Sequence, residues 1–387
     1  MPYIHIMLAN NHKMMYSIAI KKDVRPNILR TPREEHMKMK MGIIGFGGMG
    51  SYHYSNIRDR IECLEVKGVY DVQETRQEAA RQNGLIAYGS REELLADPEI
   101  ELVLVATPNN FHKPISIAAL EAGKNVVCEK PVMMNCGELL EVLAVAKRVG
   151  KVFTVHQNRR WDKDFVIIKN IYDTKRLGKP YFVESRVQGS KRVLSGWRGR
   201  AENGGGMLLD WGIHLLDQLM WMDKNPVVEV KAELFEVYSQ GVDDNCKLYV
   251  KFEDGLWAMI EVSTNCFIPL PRWHMSLTDG TAVVNDWACN GKMVELADEK
   301  DLGWSEEIVY TEAGPTRTMA PRPRETTREL PLPEVHTDWC DFYKNVVATI
   351  RGTASLIVTP EEEIRLMHVV DLLFESAREH RSIKCNI

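Results

Sequence analysis

The sequence predicts an α/β protein: a doubly wound parallel sheet first, then an α+β domain built on a large, mostly antiparallel open sheet. Three observations carry this expectation. Between Lys38 and His156 short apolar runs alternate with helical patterns, the mark of successive βαβ units. The first apolar run (Met41, Ile43, Ile44) opens onto Gly45, Gly47 and Gly50, spaced G-x-G-x-x-G. After Val227 the pattern turns to period-two alternation joined by Asp-Gly turns, as in antiparallel hairpins.

At 387 residues the chain exceeds one ordinary core and suggests about two domains. A net charge of −5 gives no electrostatic footprint for nucleic acid or an anionic membrane as partner. No apolar run approaches the roughly 20 residues of a bilayer span. The eight cysteines form no C-x-x-C pair. Together with the lack of a secretory lead, this suggests reduced thiols in a cytoplasmic protein, with neither disulfides nor zinc.

Residues 1–36 do not fit the rest. Pro26, Pro32 and a polar stretch from Asp23 to Glu35 suit a loose extension, an early start, or an arm that wraps a neighbouring subunit. The remaining elements follow in order. Ser51–Arg58 reads as helix, Leu64–Tyr70 as strand, and Gln73–Gln82 as a helix stopped by Asn83-Gly84. Glu92–Ala96 is a short helix. Glu101–Thr107 (E-L-V-L-V-A-T) is a buried parallel strand. Pro114–Ala122 and Glu138–Val149 are helices, while Asn125–Cys128 and Val152–Val155 are strands. Beyond Arg159, Phe165–Tyr172 and Met207–Trp221 read as helices. Hairpins centre on Asp254-Gly255 and Asp279-Gly280. Interleaved Tyr249, Trp257 and Met259 make sheet-to-sheet dimerisation an expectation. Gly314–Pro333 reads as a long loop, solvated or acting as a lid. Two helices close the chain, near 336–351 and 360–379.

The glycine spacing has a physical purpose. Gly45 permits the tight turn out of a strand, Gly47 admits a pyrophosphate, and Gly50 lets the helix pack on the sheet. That helix turns its positive end toward the phosphates. Asp71 ends the next strand, 21 residues after Gly50, where an acid accepts hydrogen bonds from an adenosine ribose. The turn residues Gly45, Phe46, Gly47, Gly48, Met49 and Gly50 are therefore expected to bind a dinucleotide. Asp71 repels a 2′-phosphate, which favours NAD over NADP, with Arg76 available to stack on adenine. Thr107-Pro108-Asn109-Asn110-Phe111-His112 leaves the carboxyl end of a strand, on the edge that lines the ligand crevice. Thr107, Pro108, Asn109 and His112 are cofactor-binding candidates, although His112 has a purely local role as its alternative.

Cys128-Glu129-Lys130-Pro131 ends the next strand on the same edge. Glu129 and Lys130 are expected at the cofactor, and Lys130 also suits a donor that stabilises a developing alkoxide. The run Gly204-Gly205-Gly206 precedes Asp210 and His214, spaced i, i+4. The pair suits an aspartate orienting a histidine base or two ligands of a metal. With no third ligand in sight, the base is preferred and no metal is expected. The glycines are read as allowing close approach of a ligand. Arg160 and Trp161, in His156–Trp161 at the domain junction, suit a cofactor or polyol site or an interdomain salt-bridge set. Trp161, Trp197 and Trp211 are candidates to stack on a sugar ring.

G-F-G-G-M-G, A-T-P-N-N-F-H, E-A-G-K-N-V-V-C-E-K-P and G-G-G-M-L-L-D-W-G-I-H-L-L-D together resemble the glucose–fructose oxidoreductase / inositol dehydrogenase family, Gfo/Idh/MocA. The resemblance implies an N-terminal Rossmann domain (37–158) and a substrate-binding and oligomerisation domain (159–387) that builds homodimers or homotetramers. It implies NAD(H) or NADP(H) and a sugar, glycoside or cyclic polyol as substrate. By matching position, Lys130 takes the family's catalytic lysine role, and Asp210 and His214 its aspartate–histidine pair. Some relatives only bind dinucleotide and sugar as regulators. Retention of Lys130, Asp210 and His214 favours an enzyme over that alternative.

Overall fold

The computed structural model describes residues 38–297, 308–316 and 322–387. The expectation for the 1–36 extension lies outside the described residues. The first sheet is six-stranded and parallel, in the order β3-β2-β1-β4-β5-β6. Its strands are β1 (Met39–Ile44), β2 (Leu64–Tyr70), β3 (Ile86–Ala87), β4 (Leu102–Val105), β5 (Asn125–Cys128) and β6 (Phe153–Val155). Between them run α1 (Gly48–Arg60), α2 (Glu74–Gln82), α3 (Arg91–Ala96), α4 (His112–Glu121) and α5 (Cys136–Val149). Every residue of β4 and β5 is buried, as expected of strands covered on both faces by helices. The strand order reverses between β1 and β4, the switch point at which such sheets open a crevice at their carboxyl edge.

The second sheet is nine-stranded, in the order β16-β13-β12-β11-β7-β10-β9-β8-β17. After α6 (Lys163–Thr174) come β7 (Pro180–Gln188), the helix α7 (Ile213–Met222), β8 (Val227–Phe235), β9 (Asn245–Phe252) and β10 (Trp257–Ser263). Then follow β11 (Trp273–Leu277), β12 (Gly280–Val284), β13 (Gly291–Leu296), the separate hairpin β14 (Val309–Thr311) and β15 (Gly314–Thr316), and β16 (Thr327–Leu330). The helices α8 (Cys340–Ile350) and α9 (Pro360–Glu379) and the short β17 (Ile383–Lys384) end the chain. Only the β7–β10 pairing within this sheet is parallel. Helices α6, α7 and α9 pack on it, while α8 returns to α1 and α9 to α5 and β6. Both sheets thus belong to one compact unit, 38–387.

Two expectations change. The reading of Gly314–Pro333 as an unbroken loop is corrected: it contributes β15 and the edge strand β16, which pairs with β13. The residues of β16 are exposed or half-buried, so no apolar alternation marked them; residues 317–321 lie outside the described residues. The central strand β7 had no sequence signal, because Ser185 and the largely buried Arg186 interrupt its apolar pattern. All eight cysteines are unpaired thiols. Among the described residues, no helix is long and apolar enough to cross a membrane.

Candidate active site at the carboxyl edge of the parallel sheet

The glycine turn has the geometry of a phosphate cradle. Gly45 sits at φ 95°, and a Cβ on Gly50 would lie 2.1 Å from the Gly45 carbonyl oxygen, so neither position accepts a side chain. Gly47 caps α1 without a side-chain hydrogen bond, and the first turn of α1 holds no acidic residue. A Cβ placed on Gly48 meets nothing within 4 Å. The positive end of the helix is thus left open to an anion. Behind it, the buried Asp71 accepts the Phe46 N–H through Oδ2 (2.7 Å) and the Gln73 N–H through Oδ1 (2.9 Å). A carboxylate has about four acceptor sites, and with Arg76 also donating to Oδ2 one remains for a ribose hydroxyl. Arg76 Nη1 lies 3.4 Å from Asp71 Oδ2. Thr107 Oγ1 and Asn110 Oδ1 are buried with no hydrogen-bond partner in the protein. These unspent groups fit a dinucleotide lying along this edge.

Two other cofactor candidates have partners inside the protein. Asn109 donates Nδ2–H to the Gly204 carbonyl (2.7 Å). Fully buried His112 has a backbone carbonyl against each ring nitrogen, Pro131 at 2.8 Å from Nδ1 and Thr107 at 2.9 Å from Nε2, and its neutral ring donates to one of the two. It therefore holds the two strand-end loops together and keeps no nitrogen for a ribose. Burial lowers its pKa.

Lys130 follows β5 and is joined to Pro131 by a cis peptide bond. Its Nζ donates to the Asp210 carbonyl oxygen (2.7 Å) and to Asp210 Oδ1 (2.9 Å). Asp210 lies in a single π-helical turn, Leu208–Gly212, at the entry to α7; such turns recur at functional sites. Arg198 Nε holds the other carboxylate oxygen at 3.0 Å. Burial pushes the Asp210 pKa up, but the charges of Lys130 and Arg198 outweigh it and the net shift is downward. The expected Asp210–His214 partnership is therefore corrected: Asp210 pairs with Lys130 and Arg198, while buried His214 has no partner for Nδ1. Burial, then the Lys130 and Arg159 charges, depress the His214 pKa well below the usual value. His214 is a neutral imidazole beside a fixed ammonium, the state a proton acceptor requires.

The three glycines before this turn are also corrected. A Cβ on Gly204 would strike Met134 and Asn109, one on Gly205 the Arg198 carbonyl, and one on Gly206 Asp243 Oδ1 at 2.2 Å. They admit neighbouring protein groups rather than a ligand. Asp243 in turn accepts the Leu208 N–H (2.7 Å), and burial pushes its carboxyl up to about 7.

Glu129, next to Lys130, anchors a closed cluster. Its Oε1 lies 2.7 Å from His53 Nε2 and 2.9 Å from His156 Nδ1, and the Tyr343 hydroxyl lies 2.8 Å from His53 Nδ1. Burial raises the Glu129 pKa, but His156 and His53 reverse the shift to well below the ordinary value. Each imidazole then donates to the carboxylate, and Tyr343 donates to His53. The three ligand-type atoms lie within 4.8 Å of one another. The two His–Glu129 spacings are hydrogen-bond lengths, shorter than the roughly 3.3 Å between ligands that metal bonds of about 2.0–2.1 Å require. His156, fully buried and shifted down to about 4 mainly by burial, keeps Nε2 without a partner.

At the junction, the assignment of Arg160 to substrate is corrected. It is 2% exposed and bound to Asp217 (2.6 and 2.8 Å) and Glu362 (2.7 Å). Trp161 packs on Phe342. Its neighbour Arg159 faces the site instead, with its guanidinium 4.3 Å from the Trp211 ring centroid; Trp211 is 5.7 Å from His214. Reading the sequence missed Arg159, Arg198, Arg272 and Trp287. They come from separate elements, and no local spacing links them.

Residues 39–157 match the profile of the GFO_IDH_MocA oxidoreductase family with its NAD-binding Rossmann fold, and 165–283 match the GFO/IDH/MocA C-terminal domain. The structure of an NAD-binding protein from Listeria innocua superposes with a TM-score of 0.87 at 42% identity, covering 90% of this chain and 100% of that one. The scyllo-inositol 2-dehydrogenase (NADP(+)) IolW of Bacillus subtilis is 26% identical over 358 residues, 89% of this chain and 95% of its own. An inositol 2-dehydrogenase of Salmonella typhimurium is 28% identical over 237 residues, 59% of this chain and 68% of its own. Two family profiles that together span more than half of the chain, and a 42% identical structure covering 90% of it, show that the chain belongs to the Gfo/Idh/MocA family of NAD(P)-binding oxidoreductases.

Proposed function

We propose that this chain oxidises a secondary hydroxyl of a cyclic polyol, sugar or glycoside, and reduces the matching ketone in reverse. The observation that carries this reading is Lys130 Nζ fixed on Asp210 beside the neutral, unpartnered His214. When bound along Gly45–Gly50 and Asp71, the dinucleotide supplies the hydride acceptor. Lys130 donates a hydrogen bond to the substrate oxygen and stabilises its growing negative charge. Asp210 and Arg198 hold that ammonium in place. His214 takes the hydroxyl proton, its depressed pKa keeping it unprotonated at neutral pH. The inositol-acting relatives support a ring-shaped polyol as substrate.

NAD is the preferred dinucleotide, because the Asp71 carboxylate repels a 2′-phosphate. Arg76 and the NADP-dependent relative make this the point to test. We further assign 37–158 to cofactor and 159–387 to substrate and assembly, with the outer face of the nine-stranded sheet joining copies of the chain into a homodimer or homotetramer. The test is a panel of inositols, sugars and glycosides with NAD⁺ and with NADP⁺, followed by absorbance of the reduced dinucleotide. NADH formation with a ring polyol is expected. Absence of turnover across the panel contradicts the reading.

A further inference from the structure

An exposed aromatic side chain stands beside the candidate site. Trp287 lies in the β12–β13 connection and is 52% exposed. The connection is nevertheless tied down. The Asn285 N–H donates to the Asn290 carbonyl (2.7 Å), the Cys289 N–H to the Asp286 carbonyl (3.0 Å), and Asn290 Nδ2 to Asp286 Oδ2 (2.8 Å). Trp287 is thereby held 5.7 Å from Trp211, which in turn lies 5.7 Å from His214. The Arg272 guanidinium lies 3.8 Å from the Trp287 centroid, and Arg159 lies 4.3 Å from Trp211 and 5.6 Å from Trp287.

Two further observations point to a ligand. Arg272 is only 4% exposed, and its Nη2 has no hydrogen-bond partner in the protein; Arg159 Nε is likewise buried and unpartnered. Buried donors left unmatched are costly unless something else supplies an acceptor. The arginine charges are already balanced, Arg159 by Asp162 (3.0 Å) and Arg272 by Asp164 (2.9 Å). The guanidinium of Arg272 covers one face of Trp287 and the two indoles are tilted 53° to each other, so the patch offers the exposed remainder of Trp287 and N–H donors without net positive charge.

We propose that the exposed Trp287, edged by Trp211, forms a stacking platform for one face of the substrate ring, with the partly exposed Arg159 donating to its rim oxygens and Arg272 bracing Trp287 from behind. The ligand class this selects is an uncharged, polyhydroxylated six-membered ring. One C–H-bearing face of such a ring lies on indole while its hydroxyls meet the Arg159 N–H groups. An open-chain polyol has no flat face to present. A uronic acid gains little, because Asp162 and Asp164 already neutralise the cations. This proposal rests on the reaction proposed above, but its central observable is binding.

The test uses Trp287→Ala and Trp287→Phe in the full chain. Calorimetric titration of scyllo-inositol, methyl β-D-glucopyranoside, glucuronic acid and sorbitol is run on dinucleotide-loaded protein, with initial rates alongside. Dinucleotide affinity serves as the control for folding. Trp287→Ala is expected to weaken ring binding about tenfold, from the loss of stacking and its buried area. KM is expected to rise more than kcat falls, with Trp287→Phe recovering most of the loss and sorbitol barely affected. Equal ring affinity in wild type and Trp287→Ala overturns the platform. So does an equal loss for sorbitol, tighter binding of glucuronic acid than of the neutral rings, or failure of wild type to bind either ring. If wild type binds the rings in a Trp287-dependent way but forms no NADH, the platform stands and the proposed oxidation fails.

Discussion

Two histidine-containing clusters flank Lys130, and they are built in opposite ways. On one side, Glu129 gathers His53, His156 and Tyr343 into a closed set where nearly every donor meets an acceptor among packed aromatic rings. On the other, His214 Nδ1, Arg159 Nε and Arg272 Nη2 lack partners, and Trp287 stands half in solvent. A satisfied buried polar network rigidifies a fold. Unmatched donors and acceptors beside an opening mark where a ligand completes the set. Adjacent residues of one E-K-P turn thus serve different ends, Glu129 facing the scaffold and Lys130 the chemistry.

That contrast can be broken by mutation. The largest effect is expected from His214→Ala, which removes the proton acceptor and should cut turnover about a hundredfold or more, with the melting temperature little changed. Normal turnover in this variant removes His214 from the reaction. Arg160→Ala and Arg159→Ala form the next pair. Arg160→Ala strands Asp217 and is expected to cost about 3–5 kcal/mol in urea unfolding, as for breaking a buried ion pair. Arg159→Ala should raise KM for the substrate ring at a cost below about 1 kcal/mol, since its pair with Asp162 is partly exposed. Equal stability losses would erase the distinction between the two arginines.

Glu129→Gln should destabilise by about 1.5–3 kcal/mol through weakened charge-assisted hydrogen bonds. Asp210→Asn should act chiefly on turnover, and the reverse pattern would contradict the division of roles. The smallest effect concerns acid. His112, His156 and His214 have depressed pKa values in the fold. Below about pH 6.5 the unfolded chain binds protons that the native state refuses, so stability falls as pH drops. For His156 the loss runs from about 6.5 down to about 4. The melting temperature is therefore expected to decline over this window, and less so in His156→Gln.

How much the sequence reveals differs along the chain for physical reasons. Leu64–Tyr70 and Asn125–Cys128 occupy the expected residues, because buried Val126–Cys128 is an apolar run and buried Leu64 and Val66 alternate with Glu65 and Lys67. The glycine turn and Asp71 were legible because their partners are close in sequence or fixed by the βαβ unit. The Asp210–His214 spacing misled, since the π turn at Leu208–Gly212 and the Lys130 and Arg198 charges redirect Asp210. Arg159 and Arg160 are neighbours of identical type, and only the distant Asp217, Glu362 and Trp211 decide which one faces the site. Tyr343 on His53 and Trp287 on Trp211 are contacts between remote segments, which no local pattern encodes.

The central claim is that Lys130 on Asp210, beside neutral His214, performs the proton and charge work of hydride transfer. Its most direct test is the single-turnover rate of NADH formation in dinucleotide-loaded wild type and Lys130→Ala, using a ring polyol that the substrate panel identifies. A rate at least about a hundredfold lower in Lys130→Ala, with unchanged dinucleotide affinity, is the predicted result. Equal single-turnover rates in the two proteins would contradict it.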